Sequence, residues 1–555
     1  LIAMDGAGRL AAGSLETGAR RGDDPYLVQD DPAALWAGAV QALATHRLVV
    51  VELGDLARLA NAELSIAPAV AERARAGALQ RLDAFVGAWL AGAQPGDRLL
   101  VVSPNPAPGD AARGHTLTAA LWVEAGRDLH AALLTSATTH RAGLIANIDV
   151  APTVLTRFGL VPPLNMAGAP IRITAGGNAL AHLQRQYALI AATHDASPPV
   201  LKSYVLVAIA VFLFCGFWLG LAGFGRLRPP GPGARRLLRG LLLGVQAFPL
   251  VLLLLPLTGP HPPWLDGLLA AAGALALAGL GLLWGRGMAP FGWLALLTAL
   301  ALMIDVAMGS RLMRFAILGY DAMGGARYYG IGNEFMGVLL GSAVAACAIL
   351  HVRRPRMAQL LGVIGFAAVT VWLGSSGLGA NVGGAISAVV GLPLTLMLLA
   401  RVRIRWPAVV AILLAVPLLL ALAAWADLSL HPADPSHLGR LAQRMAREGF
   451  SPLWHIGGRK IALNLKLVRW TIWTRIFAVS LGAVIWLFTR PQAARPGATV
   501  LAPSLRRGVL GAFLVSLVAF AANDSGIVAA ATTMLPATVM LFAGLLTGGG
   551  EADRV

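Results

Sequence analysis

The sequence predicts an α/β soluble domain over residues 1–200, followed by an all-α, polytopic transmembrane domain of about eleven helices over 201–555. Two observations carry this expectation. The chain is 57% hydrophobic and only 13% charged, with a mean hydropathy of +0.70, which is membrane-protein composition. The apolar text is also unevenly spread: the first part alternates polar and apolar residues between ordinary loops, whereas long apolar runs dominate from Tyr204 onward.

In the soluble part, 47–56, 98–104 and 131–136 read as short strands rich in Leu and β-branched residues, separated by helical text such as 68–92. Continuous apolar strands alternating with helices suggest a mostly parallel sheet. Asp55 and Arg58, three residues apart after a strand, either pair with each other or serve a cleft at the strand ends. Asp149, followed by Pro152 in the first turn and Gly159 at the stop, is placed as a helix N-cap. The text opens on Leu1 in LIAMDG, which reads as a strand already under way, so a preceding segment is expected.

A membrane helix needs about 20 mostly apolar residues. Candidate spans begin near 203, 239, 266, 289, 335, 357, 381, 407, 471, 508 and 527. Arginines recur at alternate connections, at 226–239, Arg286, 351–356, 401–405 and 490–507, and the positive-inside rule makes these loops cytoplasmic. The soluble part then lies on the extracytoplasmic side of a cell membrane, and the net charge of +17 encodes topology rather than nucleic-acid binding. Cys215 and Cys347 both fall inside apolar segments, where a thiol packs as a small hydrophobe, and no disulfide framework is legible.

The 425–470 connection departs from the charge rule, being basic although assigned outside. Within it, 436–449 spaces Arg440, Arg444 and Arg447 along one helical face and Leu438, Leu441 and Met445 along another, like a helix in the membrane interface. Its arginines either contact lipid phosphates or cradle an anionic lipid substrate.

Four polar islands share the assigned outer side: 319–334, 373–384, the 425–470 connection and 523–526. Ionisable groups at membrane depth are expensive, so their convergence on one face suggests a cavity. The substrate-binding candidates are Arg327, Tyr328, Asn333, Asn381, Asn523, Ser525, Arg440, Arg444 and Arg459; the catalytic candidates are Glu334, Asp524 and His455. Arg327 suits phosphate or carboxylate, and Glu334 and Asp524 can neutralise it, act as a base or hold a cation. The glycines of 374–384 equally suit close helix packing. Asp305 is a further carboxylate near the outer end of a span, whereas Asp266 only opens one.

The segment 133–159, with Asp149-Val150-Ala151-Pro152-Thr153, resembles the closing part of the alkaline phosphatase superfamily. That resemblance implies a metal pair held by Asp and His. Yet the position that would read Ser-Asp-His-Gly is Ser103-Pro104-Asn105-Pro106, and only His115 could match a later metal histidine, so a degenerate or truncated domain without metal or other cofactor is expected. Arg327-x-x-Gly-x-x-Asn333, the Ser375-Ser376-Gly377 island and a basic external loop loosely resemble the O-antigen ligase and polymerase group. This implies metal-free transfer of a glycan from a polyprenyl-phosphate-type carrier, with His431, His437 or His455 assisting proton transfer.

Three functional classes follow. One is an envelope membrane enzyme acting on a phosphate-linked lipid or glycan. Another is a transporter or flippase for an anionic lipid, with Asp305, Glu334 and Asp524 binding coupling ions. The third is a scaffold whose phosphatase-like domain binds envelope-assembly proteins. Membrane lipids are partners in all three.

Overall fold

The computed structural model describes residues 3–4, 10–12, 19–21, 28–62, 65–129, 131–163, 165–223, 226–430, 437–449, 451–489 and 500–547, with backbone alone at 3–28, 223, 437 and 452–456. The chain divides into two compact units, Leu1–Ala132 and Leu133–Val555.

In the first unit, β1 (Ala3–Met4) pairs with β2 (Leu10–Ala12), and β3 (Ala19–Arg21) with β4 (Val28–Asp30). The helices α1 (Pro32–Leu43), α2 (Asp55–Ala62) and α3 (Pro68–Gly92) follow, then β5 (Arg98–Val102), α4 (Pro108–Ala112) and β6 (Ala120–Glu124). Asp31 caps α1 by accepting from the backbone N–H groups of Ala33 and Ala34, with Pro32 opening the helix. Trp36 of α1 meets Phe85 of α3 edge to face at 6.2 Å. Asp55 and Arg58 do pair, at 2.6 Å, but inside a larger network: Arg58 also reaches Asp30, Arg81 of α3 binds Asp55, and Asp30 and Asp55 accept from each other's backbone N–H at 3.0 Å. The pair thus joins β4, α2 and α3.

The mostly parallel sheet is corrected. Among the described residues the strands pair in twos, β1–β2, β3–β4 and β5–β6 are all antiparallel, and no alkaline-phosphatase-like sheet is present. Residues 47–54 form no strand at all. Short apolar runs do not report their partner's direction, and the β5–β6 connection holds only the five-residue α4, not the full helix that usually crosses a sheet between parallel strands.

The second unit opens with β7 (Ala132–Thr135), α5 (Val150–Arg157) and β8 (Arg172–Ala175), with β7 and β8 sharing a sheet. Asp149 is fully buried, yet its side chain makes no N-cap. It accepts instead from Ser136, Thr138, Ala146 N and Ala169 N, because three chain segments bring donors to it and satisfy all its carboxylate valence.

Then come α6 (Ala179–Gly223), α7 (Pro232–Leu254), α8 (Pro263–Trp284), α9 (Ala289–Ala307), α10 (Asn333–Arg353), α11 (Pro355–Gly374), α12 (Val382–Leu399), α13 (Trp406–Leu430), α14 (His437–Glu448), α15 (Ser451–Trp470), α16 (Trp473–Thr489), α17 (Pro503–Ala522) and α18 (Gly526–Thr547). Ten of the described helices are long and apolar enough to cross a membrane, and 457–470 with 473–489, bent by 84°, forms either a broken eleventh span or a re-entrant loop. The protein is a multi-pass membrane protein. The first span starts well before the apolar window because α6 extends back to Ala179 through Ala- and Gln-rich helix-forming text.

The core of the bundle is α18, buried at every residue from Gly526 to Leu546 and packed against α10, α17 and α16. Gly337 and Gly341 of α10, four apart, let the helices touch: a Cβ at Gly341 would lie 2.3 Å from the Thr533 carbonyl oxygen of α18. The same device joins α12 to α17, where a Cβ on Gly391 would meet Val515 at 2.5 Å.

Candidate functional site

The α9–α10, α11–α12 and α17–α18 connections lie beside one another, and their polar groups meet at one end of the bundle. Asn333, the first residue of α10, donates from Nδ2 to Asp524 Oδ1 at 3.2 Å and to Ser525 Oγ at 2.5 Å in the α17–α18 turn. Asn381, the N-cap of α12 and 2% exposed, accepts from Gly384 N at 2.8 Å and donates to Asn333 Oδ1 at 3.1 Å and to the Ile331 carbonyl at 3.0 Å. The bent helix pair closes the ring. Lys460 Nζ donates to the Ala522 carbonyl at 2.7 Å, and Asn464 donates to the Asn523 carbonyl at 2.8 Å while accepting from Gly526 N at 2.7 Å.

Two glycine-dependent contacts hold these turns together. Gly330 adopts a φ of +74°, and a Cβ there would stand 2.3 Å from the Gly379 carbonyl oxygen, whose acceptor takes Ile331 N at 2.9 Å. At Gly383 a Cβ would fall 2.1 Å from Asn523 Oδ1. The glycines therefore serve close packing, as one of the two sequence readings has it, and that packing is what delivers the polar groups.

Arg327 donates to the Ala380 carbonyl at 3.2 Å, and among the described residues it forms no ion pair with Glu334 or Asp524. Both carboxylates nevertheless lie within its electrostatic reach. Burial pushes the Asp524 carboxyl upward, but the Asn333 amide, its own backbone N–H and the charges of Lys460 and Arg327 outweigh this and hold it below the usual carboxylate range. Tyr328 is half-buried, with burial and then Asp149 raising its phenol.

No family model, curated protein or solved structure matches the chain.

The site residues expected from the sequence therefore divide by position alone. Arg327, Asn333, Glu334, Asn381, Asn523, Asp524 and Ser525 gather at one place. Arg440 of α14 instead donates to the Gly168 carbonyl at 3.2 Å, Arg444 pairs with Glu448 at 3.2 Å one turn on, and Arg459 is exposed. His431 lies outside the described residues, as do the side chains of His437 and His455. Asp305 has both oxygens occupied by the backbone N–H groups of Leu312 and Met313, so it fastens the turn after α9. Asp266 sits in the first turn of α8, 3.3 Å from His261. His115 is buried, and among the described residues no three His, Cys, Asp or Glu side chains group as metal ligands.

Lys460 and Asn464 belong to the cluster, but their sequence signal is faint: one cation among several and one amide in IALNLKLV. The sequence also gives no sign that the 133–177 segment reaches the loop after α9. His140 lies 4.2 Å from Tyr329 between ring centroids, and α6 stitches the loop after α9 through His194–Asp321 at 2.7 Å, Thr193–Phe315 O at 2.9 Å and Ser197–Ile317 O at 3.1 Å.

Proposed function

We propose that this protein handles a phosphate-linked lipid or glycan, by transfer or hydrolysis, at the polar end of its helix bundle on the outer side of a cell membrane. The observation that carries the reading is the meeting of Arg327 and Lys460 with Glu334, Asp524, Asn333 and Asn381 where the α9–α10, α11–α12 and α17–α18 connections lie against α15. Two cations suit a phosphate or diphosphate group, the amides orient it, and a carboxylate accepts the proton of the incoming nucleophile. Asp524, held ionised by its neighbours, stabilises charge, which leaves Glu334 as the base. In this reading the substrate is a lipid carrier of the polyprenyl-phosphate type, the O-antigen ligase resemblance marks the reaction class, and the degenerate phosphatase-like region contributes binding without metal chemistry.

A transporter of an anionic lipid is the second reading, favoured by the 84° break at 470–473 beside the cluster. Purified protein in liposomes carrying a labelled polyprenyl-diphosphate glycan separates the two. Turnover without transbilayer movement supports the enzyme, and movement without turnover the transporter. Arg327→Ala and Asp524→Asn should each lower either activity by about 100-fold, the scale of losing a charged ligand contact. Near-normal turnover and transport in both variants would sink the site.

A further inference from the structure

Arg141 stands outside the cluster just described. It is 2% exposed, and none of Nε, Nη1 or Nη2 donates a hydrogen bond to a protein group among the described residues. Its guanidinium lies over the Phe315 ring at 5.1 Å. A buried guanidinium is costly unless an anion and hydrogen-bond acceptors complete it.

Its surroundings add positive charge. Arg314 is within electrostatic reach of Arg141, and Arg141, Arg314 and Arg327 all act on Tyr320. Arg314 spends Nε on the Ser310 carbonyl at 3.1 Å and Nη2 on the Gly309 carbonyl at 2.7 Å. Among the described residues the carboxylate acting on Tyr320 is that of Asp305, whose oxygens the backbone already occupies.

The turn that carries Arg141 is built to hold it there. His140 takes a φ of +50°, a strained value for a residue with a Cβ, and Gly143 at +82° holds a left-handed conformation that side chains rarely adopt. Local strain of this kind persists only where surrounding contacts fix it, here the His140–Tyr329 ring contact and Thr139 bonded to the Leu144 carbonyl at 2.6 Å.

We propose that Arg141, Arg314 and Tyr320 form a binding site for a dianionic phosphoryl group, with Phe315 as its apolar wall. The unspent fork of Arg141, backed by the charge and remaining Nη1 of Arg314, matches the charge and tetrahedral oxygens of a phosphate monoester or diphosphate end better than a single carboxylate. Burial pushes the Tyr320 phenol up to about 12 despite the three arginines, so near neutrality it presents an O–H donor. Burial first, then Arg314, brings Arg141 down to about 10 against the pull of Tyr320, so it stays cationic there. The inference rests on the proposed function only for its choice of phosphate over other dianions.

The test is the thermal unfolding midpoint of the detergent-purified full-length chain, with ionic strength held constant by sodium chloride. Inorganic phosphate or diphosphate, and separately phosphatidic acid in mixed micelles, are titrated in. A saturable rise in midpoint is expected in at least one arm; a response to the inorganic ions assigns a soluble phosphate, and a response to phosphatidic acid alone assigns a lipid headgroup. Arg141→Met should abolish the rise while leaving the anion-free midpoint at or above that of the parent, since a buried unpaired charge is removed. If that variant does not fold, Arg314→Gln should weaken the response about tenfold in phosphate concentration. No rise beyond chloride in either arm, or an undiminished rise in the folded variant, overturns the site. The readout needs no turnover, so a phosphate response without activity in liposomes would reject the proposed function and leave this site standing.

Discussion

At the residue scale, the candidate site is governed by amides as much as by charges. Asn333 bridges Asp524 and Ser525 of the α17–α18 turn to Asn381 of the α11–α12 turn, so one amide ties three connections between spans together. The ionised state of Asp524 gives a pH prediction. Its folded pKa lies below the unfolded value of about 3.9, so its stabilising contribution is complete above about pH 4 and is lost as the pH falls through the folded value. Unfolding midpoints measured from pH 8 downward should fall less steeply below about pH 4 in Asp524→Asn than in the parent, and run parallel above about pH 5. Arg327, Asn333, Glu334, Asn381 and Asp524 were legible in the sequence because polar groups beside apolar spans stand out against their background. Arg141 and Asn464 were not, since ordinary soluble text and one amide in a helix carry no such contrast; only the fold brings them to a buried place.

At the element scale, spans were readable and pairings were not. The apolar windows locate nearly every membrane helix because desolvation demands a fixed length of apolar text. The same reasoning missed the early start of α6, whose Thr193, His194 and Ser197 fasten the loop after α9, because an extension of mixed polar and apolar residues has no hydropathy signal of its own. Strand direction failed for a related reason, since β5 reads the same whether its partner runs parallel or antiparallel. The α10–α18 contact can be tested directly. Gly341→Val places branched carbon against the Thr533 carbonyl, and it should destabilise the bundle by about 1–3 kcal/mol or more, read as a lowered unfolding midpoint in detergent.

At the scale of the whole molecule, alternating loop charge and the convergence of the polar turns make one joint prediction about sidedness. Cys215 and Cys347 are both buried, so single cysteines introduced at exposed positions can be labelled against a quiet background. A cysteine at Arg403, in the α12–α13 loop, and one at Asp524 should react with a membrane-impermeant maleimide from opposite sides of the membrane, the former from the cytoplasmic face. Labelling of both from one side would remove the topology on which the outward site depends. The burial of α18 has a consequence for biogenesis. Its neighbours α6, α7, α10, α16 and α17 all precede it in the chain, yet they enclose it. They are therefore made before the helix on which they pack, and the turn that seats Asp524 and Ser525 beside Asn333 is the one that leads into it. A chain arrested before Gly526 would hold the residues of the site without the buried helix that anchors their turn.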